Sequence, residues 1–217
     1  MQYSSEILNL FGGPELSDLS VCGAKELPEP LDYLSAAIWN HIVGTRIRYT
    51  SVQHLALVML KRNYGACQEY LAARCDLLFY VERLRAGNHH LRAYLSALRH
   101  FEQCICAIWQ AEDAFDKIEH KLLNDGITKC TVFTLGDNSV LEKINSLYNL
   151  IKHFDAKQAE HTSSPIWITN LGLKSATHFV HFEELYSNLT ALLEAARQTF
   201  IEIPKAGRER KQLQRAG

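Results

Sequence analysis

The chain has 217 residues, 47% of them apolar, and a formal net charge of −1, enough for one sizeable core and with no composition break that would divide it. The closing segment KAGRERKQLQRAG carries Lys205, Arg208, Arg210, Lys211 and Arg215 against Glu209, a local +4 that leaves −5 for residues 1–204. The body is therefore mildly acidic, and a basic strip for phosphates is confined to that segment.

In chain order, the opening MQYSSEILNLF lacks the basic region of a signal peptide. The longest clean apolar run, LALVML at 55–60, is far below bilayer length, so a soluble cytoplasmic protein without a membrane partner is expected. Residues 1–30 hold Gly12, Gly13, Pro14, Pro28 and Pro30 and read as an irregular leader draped over the domain, which spans 31–203. A first helix is expected over about 32–43. A second opens at Thr50-Ser51-Val52-Gln53, a Thr-x-x-Gln capping box, with Val52, Leu55, Ala56 and Met59 at helical spacing. Gly65 separates it from a third helix reaching about Arg85.

Gly87-Asn88 reads as a break, with Asn88 capping the longest helix, about 89–122. There Tyr94, Phe101, Ile108, Phe115 and Leu122 recur every seven residues, with Leu91, Leu98 and Ile105 between them, the seam of a helix packed lengthwise in a bundle. A short extended piece is expected at 131–134. Ser139-Val140-Leu141-Glu142 is a second capping box, whose helix buries Val140, Leu141, Ile144, Leu147, Tyr148 and Ile151 and is stopped at Ser163-Ser164-Pro165. Two short strands, 166–169 and 178–180, form a hairpin within 166–181. The last helix, about 182–201, starts acidic with Glu183 and Glu184 and ends at Pro204, leaving 204–217 as a basic disordered tail. The fold class is mainly α: a bundle of five or six helices with a long central helix and a small β-hairpin before the last one.

Several chemistries are absent from the sequence. The glycine-rich dinucleotide and P-loop patterns and Gly-x-Ser-x-Gly do not occur, which argues against dinucleotide or nucleoside triphosphate partners and against an α/β-hydrolase. The six cysteines have neither Cys-x-x-Cys nor zinc-ribbon spacing and read as packed thiols. Cys104, one turn after His100, sits on the apolar seam. Glu112, Asp116 and His120 share a helix face but lack the Glu-x-x-His pairs of a di-iron bundle, and His178 and His181 would face opposite sides of a strand. No metal and no cofactor is expected.

One stretch has a chemical flavour. Glu142, Ser146, Asn149 and His153 form a polar line on the outer face of the Ser139 helix, with Lys152 beside it. The segment YNLIKH, residues 148–153, resembles the Arg-Asn-x-x-x-His segment of the HEPN superfamily, small helical bundles that often act as metal-independent ribonucleases in toxin, antitoxin and phage-defence systems, frequently as dimers. Asn149 and His153 match the motif. Tyr148 stands where the family has Arg, and a tyrosine cannot place a full positive charge on a phosphorane. A second formal match is Arg85 with His90, at a helix junction where an imidazole is held neutral more easily. The resemblance implies a noncatalytic or catalytically degenerate protein acting through protein or RNA binding in a bacterial stress or defence setting, as a possible homodimer. An active metal-independent ribonuclease, using Asn149, Lys152 and His153 or Arg85 and His90, is one alternative; a helical adaptor unrelated to HEPN is the other.

Overall fold

The computed structural model describes residues 19–27, 50–123, 132–152, 166–175 and 177–216. Among them are four helices and a small sheet: α1 (Thr50–Arg85), α2 (Leu91–Leu123), α3 (Val140–Lys152), β1 (Trp167–Ile168), β2 (Gly172–Lys174), β3 (Phe179–His181) and α4 (Phe182–Ala216). The protein is mainly helical. The expected count of five or six helices is not reached among the described residues, and the helix expected at 32–43 lies outside them.

α1 and α2 form an antiparallel hairpin of long helices, 36 and 33 residues, or ~54 and ~50 Å at the usual rise. Contrary to the expected break, α1 runs through Gly65. A mid-helix glycine costs only about 1 kcal/mol, less than the burial of Met59, Ala66, Cys67 and Tyr70 on either side of it returns. A Cβ added at Gly65 meets nothing within 4 Å. Gly65→Ala should therefore stabilise the fold by about 1 kcal/mol, read as a higher urea midpoint with unchanged slope.

The hairpin turn explains a second difference. Gly87 takes a left-handed φ of 74°, and the bonds Asn88 N→Arg83 O (2.9 Å) and Gly87 N→Leu84 O (2.9 Å) close α1 as a Schellman motif. Asn88 belongs to that closure. α2 is capped instead by His90, whose Nδ1 accepts the Ala93 N–H at 3.3 Å.

The seven-residue seam of α2 is the core. Tyr94, Phe101, Ile105 and Ile108 are buried, while Leu98 and Phe115 pack at its edge. Phe101 sits edge-on to Tyr70 of α1, centroids 6.1 Å apart, and 5.2 Å from Phe182 of α4. α3 lies against α2 and buries Ile144 and Leu147, with Val140, Leu141, Tyr148 and Ile151 packed around them. Its start is a capping box with altered wiring: the Ser139 hydroxyl accepts the Glu142 N–H at 3.2 Å, but the Glu142 carboxylate reaches back to the amides of Gly136 and Asn138. Residues 132–138 are bends and turns, so the described part of the extended piece expected at 131–134 is not a strand.

The hairpin expected at 166–181 is a three-stranded antiparallel meander in the order β1-β2-β3. The segment read as a connection contains β2. Ile168, Leu173 and Val180 stand side by side in register and form a fully buried rung. The Ile168 N–H donates to the Tyr94 hydroxyl at 3.0 Å, which fastens the sheet to α2.

α4 begins where β3 ends. Glu184 accepts the His181 N–H (2.8 Å) and the Lys143 ammonium (2.7 Å). Burial pushes its carboxyl up, and these two donors together bring it below its ordinary value. Pro204 does not end this helix, which continues to Ala216. Proline removes one N–H and crowds the preceding turn, but the following sequence is rich in the helix formers Lys, Ala, Arg, Glu, Gln and Leu. Residues 19–27 have no regular structure yet bury Leu19, Ala24 and Leu27. Their backbone is held by the side chains of Asn170, Tyr70, Arg74 and Arg85.

Candidate functional site

The outer face of α3 carries the first set of candidates. Asn149 and Lys152 are exposed, and His153 lies outside the described residues. Tyr148, at the position of the motif arginine, turns toward the bundle and stacks on Trp109 of α2 with centroids 5.9 Å apart and planes 29° apart. Phe133 meets the same indole at 5.9 Å. The Lys152 ammonium lies 5.7 Å from the Tyr148 centroid, a cation–π contact at the rim. Tyr148 is therefore a packing residue that ties α3 to α2, and the cation beside it rests on its ring.

Arg85 and His90, the second set, are occupied by the turn between α1 and α2. The Arg85 guanidinium donates to the Ser20 carbonyl at 2.9 Å. The His90 ring caps α2 through Nδ1 and stands edge-on to Phe79 at 5.1 Å. An Nδ1 that accepts an N–H leaves the proton of a neutral imidazole on Nε2. The tautomer is inferred from this bond, and both side chains hold local structure.

A third constellation has no local sequence pattern. His100 of α2 places Nδ1 2.6 Å from a Glu69 carboxylate oxygen on α1, and its Nε2 lies 3.1 Å from an Arg99 nitrogen and 3.9 Å from Asp76. A guanidinium only donates, so the arrangement reads Glu69 accepting Nδ1–H and Nε2 accepting from Arg99. A carboxylate that orients an imidazole is the support a general base uses. Here the basic nitrogen already has a donor, and the His100 side chain keeps 19% of its exposure along the helix seam. What the geometry achieves as it stands is a polar clasp between α1 and α2. Glu69 and His100 are 31 residues apart, so the pair becomes visible once the hairpin register is known.

Burial works against activation of three of the described cysteines. Cys104 is buried, and burial followed by the neighbouring Cys67 and Glu69 pushes its thiol well up; burial also raises Cys22 and Cys106. Among the described residues no group of three His, Cys, Asp or Glu side chains is placed to hold a metal ion. No described helix is long and apolar enough to cross a membrane.

Two carboxylates of the polar α2 face are drawn away from water: Asp116 is buried, with His120 3.4 Å from it, and Glu112 is half-buried. Glu112 accepts the Asn188 amide N–H at 3.0 Å. Burial raises its carboxyl, with Glu119 adding to the rise and Asn188 opposing it. A carboxyl raised by folding lowers stability above the folded pKa, and that cost disappears as pH falls below the ordinary glutamate value, where both states are protonated. Glu112→Gln, which keeps an acceptor for Asn188, should raise the melting temperature at pH 7. The gain should shrink on acidification until the two melting curves coincide near pH 4.

No protein-family model, no curated protein and no solved structure matches this chain.

Proposed function

We propose that this is a noncatalytic helical interaction protein with a HEPN-like layout, and that it associates with a second copy of itself through the outer stripe of α1. The observation that carries the reading is the stripe. Leu57, Tyr64 and Leu78 are 38%, 37% and 42% exposed, and with the half-buried Leu71 they recur at seven-residue intervals along α1, a span of ~31 Å at 1.5 Å per residue. A repeat of seven keeps one line of a helix facing a partner helix, and large apolar groups held in water along such a line favour association. Lys61, Gln68, Cys75 and Glu82, exposed at the next seam position, limit its strength, so the association is reversible.

The engagement of the chemical candidates supports the noncatalytic half of the reading. Tyr148 replaces the motif arginine and packs on Trp109, while Arg85 and His90 are spent on the leader and the α2 cap. A stress or defence setting, with the protein as an antitoxin-like or adaptor partner, follows from the resemblance.

The test combines two readouts on one preparation. Light scattering should give a concentration-dependent mass rising from 24.7 kDa toward twice that value, and Leu57→Glu with Leu78→Glu should hold it at the lower mass without changing the circular dichroism. Metal-free incubation with total RNA should leave the RNA intact for the wild type, His153→Ala and His90→Ala alike. A wild-type protein that stays monomeric when concentrated would remove the α1 association. RNA cleavage that disappears with His153→Ala or His90→Ala would replace the noncatalytic reading with a ribonuclease and name its base.

A further inference from the structure

The outer seam of α1 complements itself when its direction is reversed. Along the helix Leu57, Tyr64, Leu71 and Leu78 alternate with Lys61, Gln68, Cys75 and Glu82, and at 100° per residue all of them fall within one sector of about 100°. The large apolar groups are thus ~10 Å apart along the axis, with a gap after each. Lys61 and Glu82 are the charged members of the seam, one toward each end, and both are exposed. A two-fold pair brings the same surface of each copy together, and the two helix directions treat these positions differently. Parallel and in register, Lys61 would face Lys61 of the partner subunit and Glu82 would face Glu82 of the partner subunit, with every gap set against a gap. Antiparallel about an axis between Gln68 and Leu71, Tyr64 enters the gap between the partner's Leu71 and the partner's Leu78. Leu78 likewise enters the gap between the partner's Leu57 and the partner's Tyr64.

We infer that two copies of this chain pair through α1 in opposite directions, with Lys61 of each copy within one helical turn of Glu82 of the partner subunit. This rests on the association proposed above and fixes its geometry. Reversal brings Lys61 within ~6 Å along the axis of the partner's Glu82, and two-fold symmetry makes that pair twice. An exposed ion pair holds little by itself, but like charges set face to face oppose the parallel alternative at both ends. The charges therefore select the direction, and the interlocked apolar groups supply the attraction. A partner other than a second copy would need large apolar groups at the same spacing and the opposite order of charge, which α1 already supplies to itself. The arrangement also places Cys75 level with the partner's Tyr64. The two Cys75 residues are then ~16 Å apart along the axis, well beyond the ~7 Å between Cα atoms that a disulfide spans.

The experiment joins charge reversal to cross-linking of the full-length protein. At low salt, Lys61→Glu and Glu82→Lys should each weaken association roughly tenfold, because both symmetric pairs turn repulsive. The double variant, which exchanges the two charges, should regain the wild-type constant. In about 1 M salt, where screening reaches ~3 Å, the variants and the wild type should converge. With a short bismaleimide, Tyr64→Cys should give a covalent dimer that disappears when Cys75→Ser is added, and the wild type should give no dimer that depends on Cys75. The opposite direction predicts the reverse: a wild-type dimer cross-linked through Cys75, and association indifferent to either single charge reversal, since like would still face like. If dimers lost on Leu57→Glu with Leu78→Glu behave in that second way, the antiparallel arrangement is overturned and the α1 association stands. A wild type that stays monomeric when concentrated removes both.

Discussion

Gly172→Ala should destabilise the fold by about 3 kcal/mol or more, the upper end of what overpacking costs. Gly172 opens β2 directly opposite His181 of β3, and its backbone angles lie outside the left-handed region. The demand is for space alone. A Cβ there would overlap the Val180 carbonyl oxygen and lie 2.8 Å from the His181 Cα. Both neighbours are backbone, so no side chain can swing aside, and relief requires parting β2 from β3. That would disturb the rung of Ile168, Leu173 and Val180 and the Phe182 N–H bond to the Leu171 carbonyl that starts α4. A chain of this size loses roughly 2–4 °C of melting temperature per kcal/mol, so calorimetry should show a fall of about 6–12 °C. A variant melting within 2 °C of the wild type would mean that the sheet can yield where the packing says it cannot.

Phe101→Ala should cost about 3–5 kcal/mol, the range for emptying a buried aromatic site. Phe101 is fully buried at the meeting of three helices, touching Tyr70 of α1 and Phe182 of α4 from its place on α2. These neighbours sit on long helices fixed by other contacts, so the gap cannot close by moving one side chain, and the cavity term adds to the lost burial. Chemical denaturation would show a lower midpoint. Phe101→Leu, which refills most of the volume, should recover more than half of the loss. Equal losses in the two variants would argue that the aromatic contacts, rather than filled space, hold this junction.

The helices were readable where periodicity ran long. The seven-residue recurrence on α2 named Tyr94, Phe101 and Ile108 as its inner face, and all three are buried. Short-range punctuation misled. Gly65 has the local signature of a break, but a penalty of about 1 kcal/mol is small beside the packing of a long helix. Pro204 was overruled by the helix-forming residues after it. β2 has no alternation of its own: Gly172, Leu173 and Lys174 become a strand because β1 and β3 offer partners on both sides. The candidate sites were less readable still. Tyr148 has the spacing of a motif residue, and only its neighbour Trp109, 39 positions earlier on another helix, reveals it as packing. Likewise, neither Glu69 nor His100 carries a mark in the sequence that points to the other.

Residues 19–27 give the molecule a temporal order. Asn170 accepts the amides of both Ser20 and Val21 at 2.9 Å across separations of 150 and 149 residues, and Lys25 meets Glu183 at 2.6 Å. The α1–α2 hairpin, by contrast, joins neighbours in sequence. Contacts that close long loops form late, because chain entropy opposes them until the elements between are in place, and a segment clasped mainly by partly exposed hydrogen bonds opens ahead of the core. This clasp should thus be the last part of the protein to fold and the first to let go. In native-state hydrogen exchange the Ser20 and Val21 amides would report its opening separately, well before the α2 core exchanges.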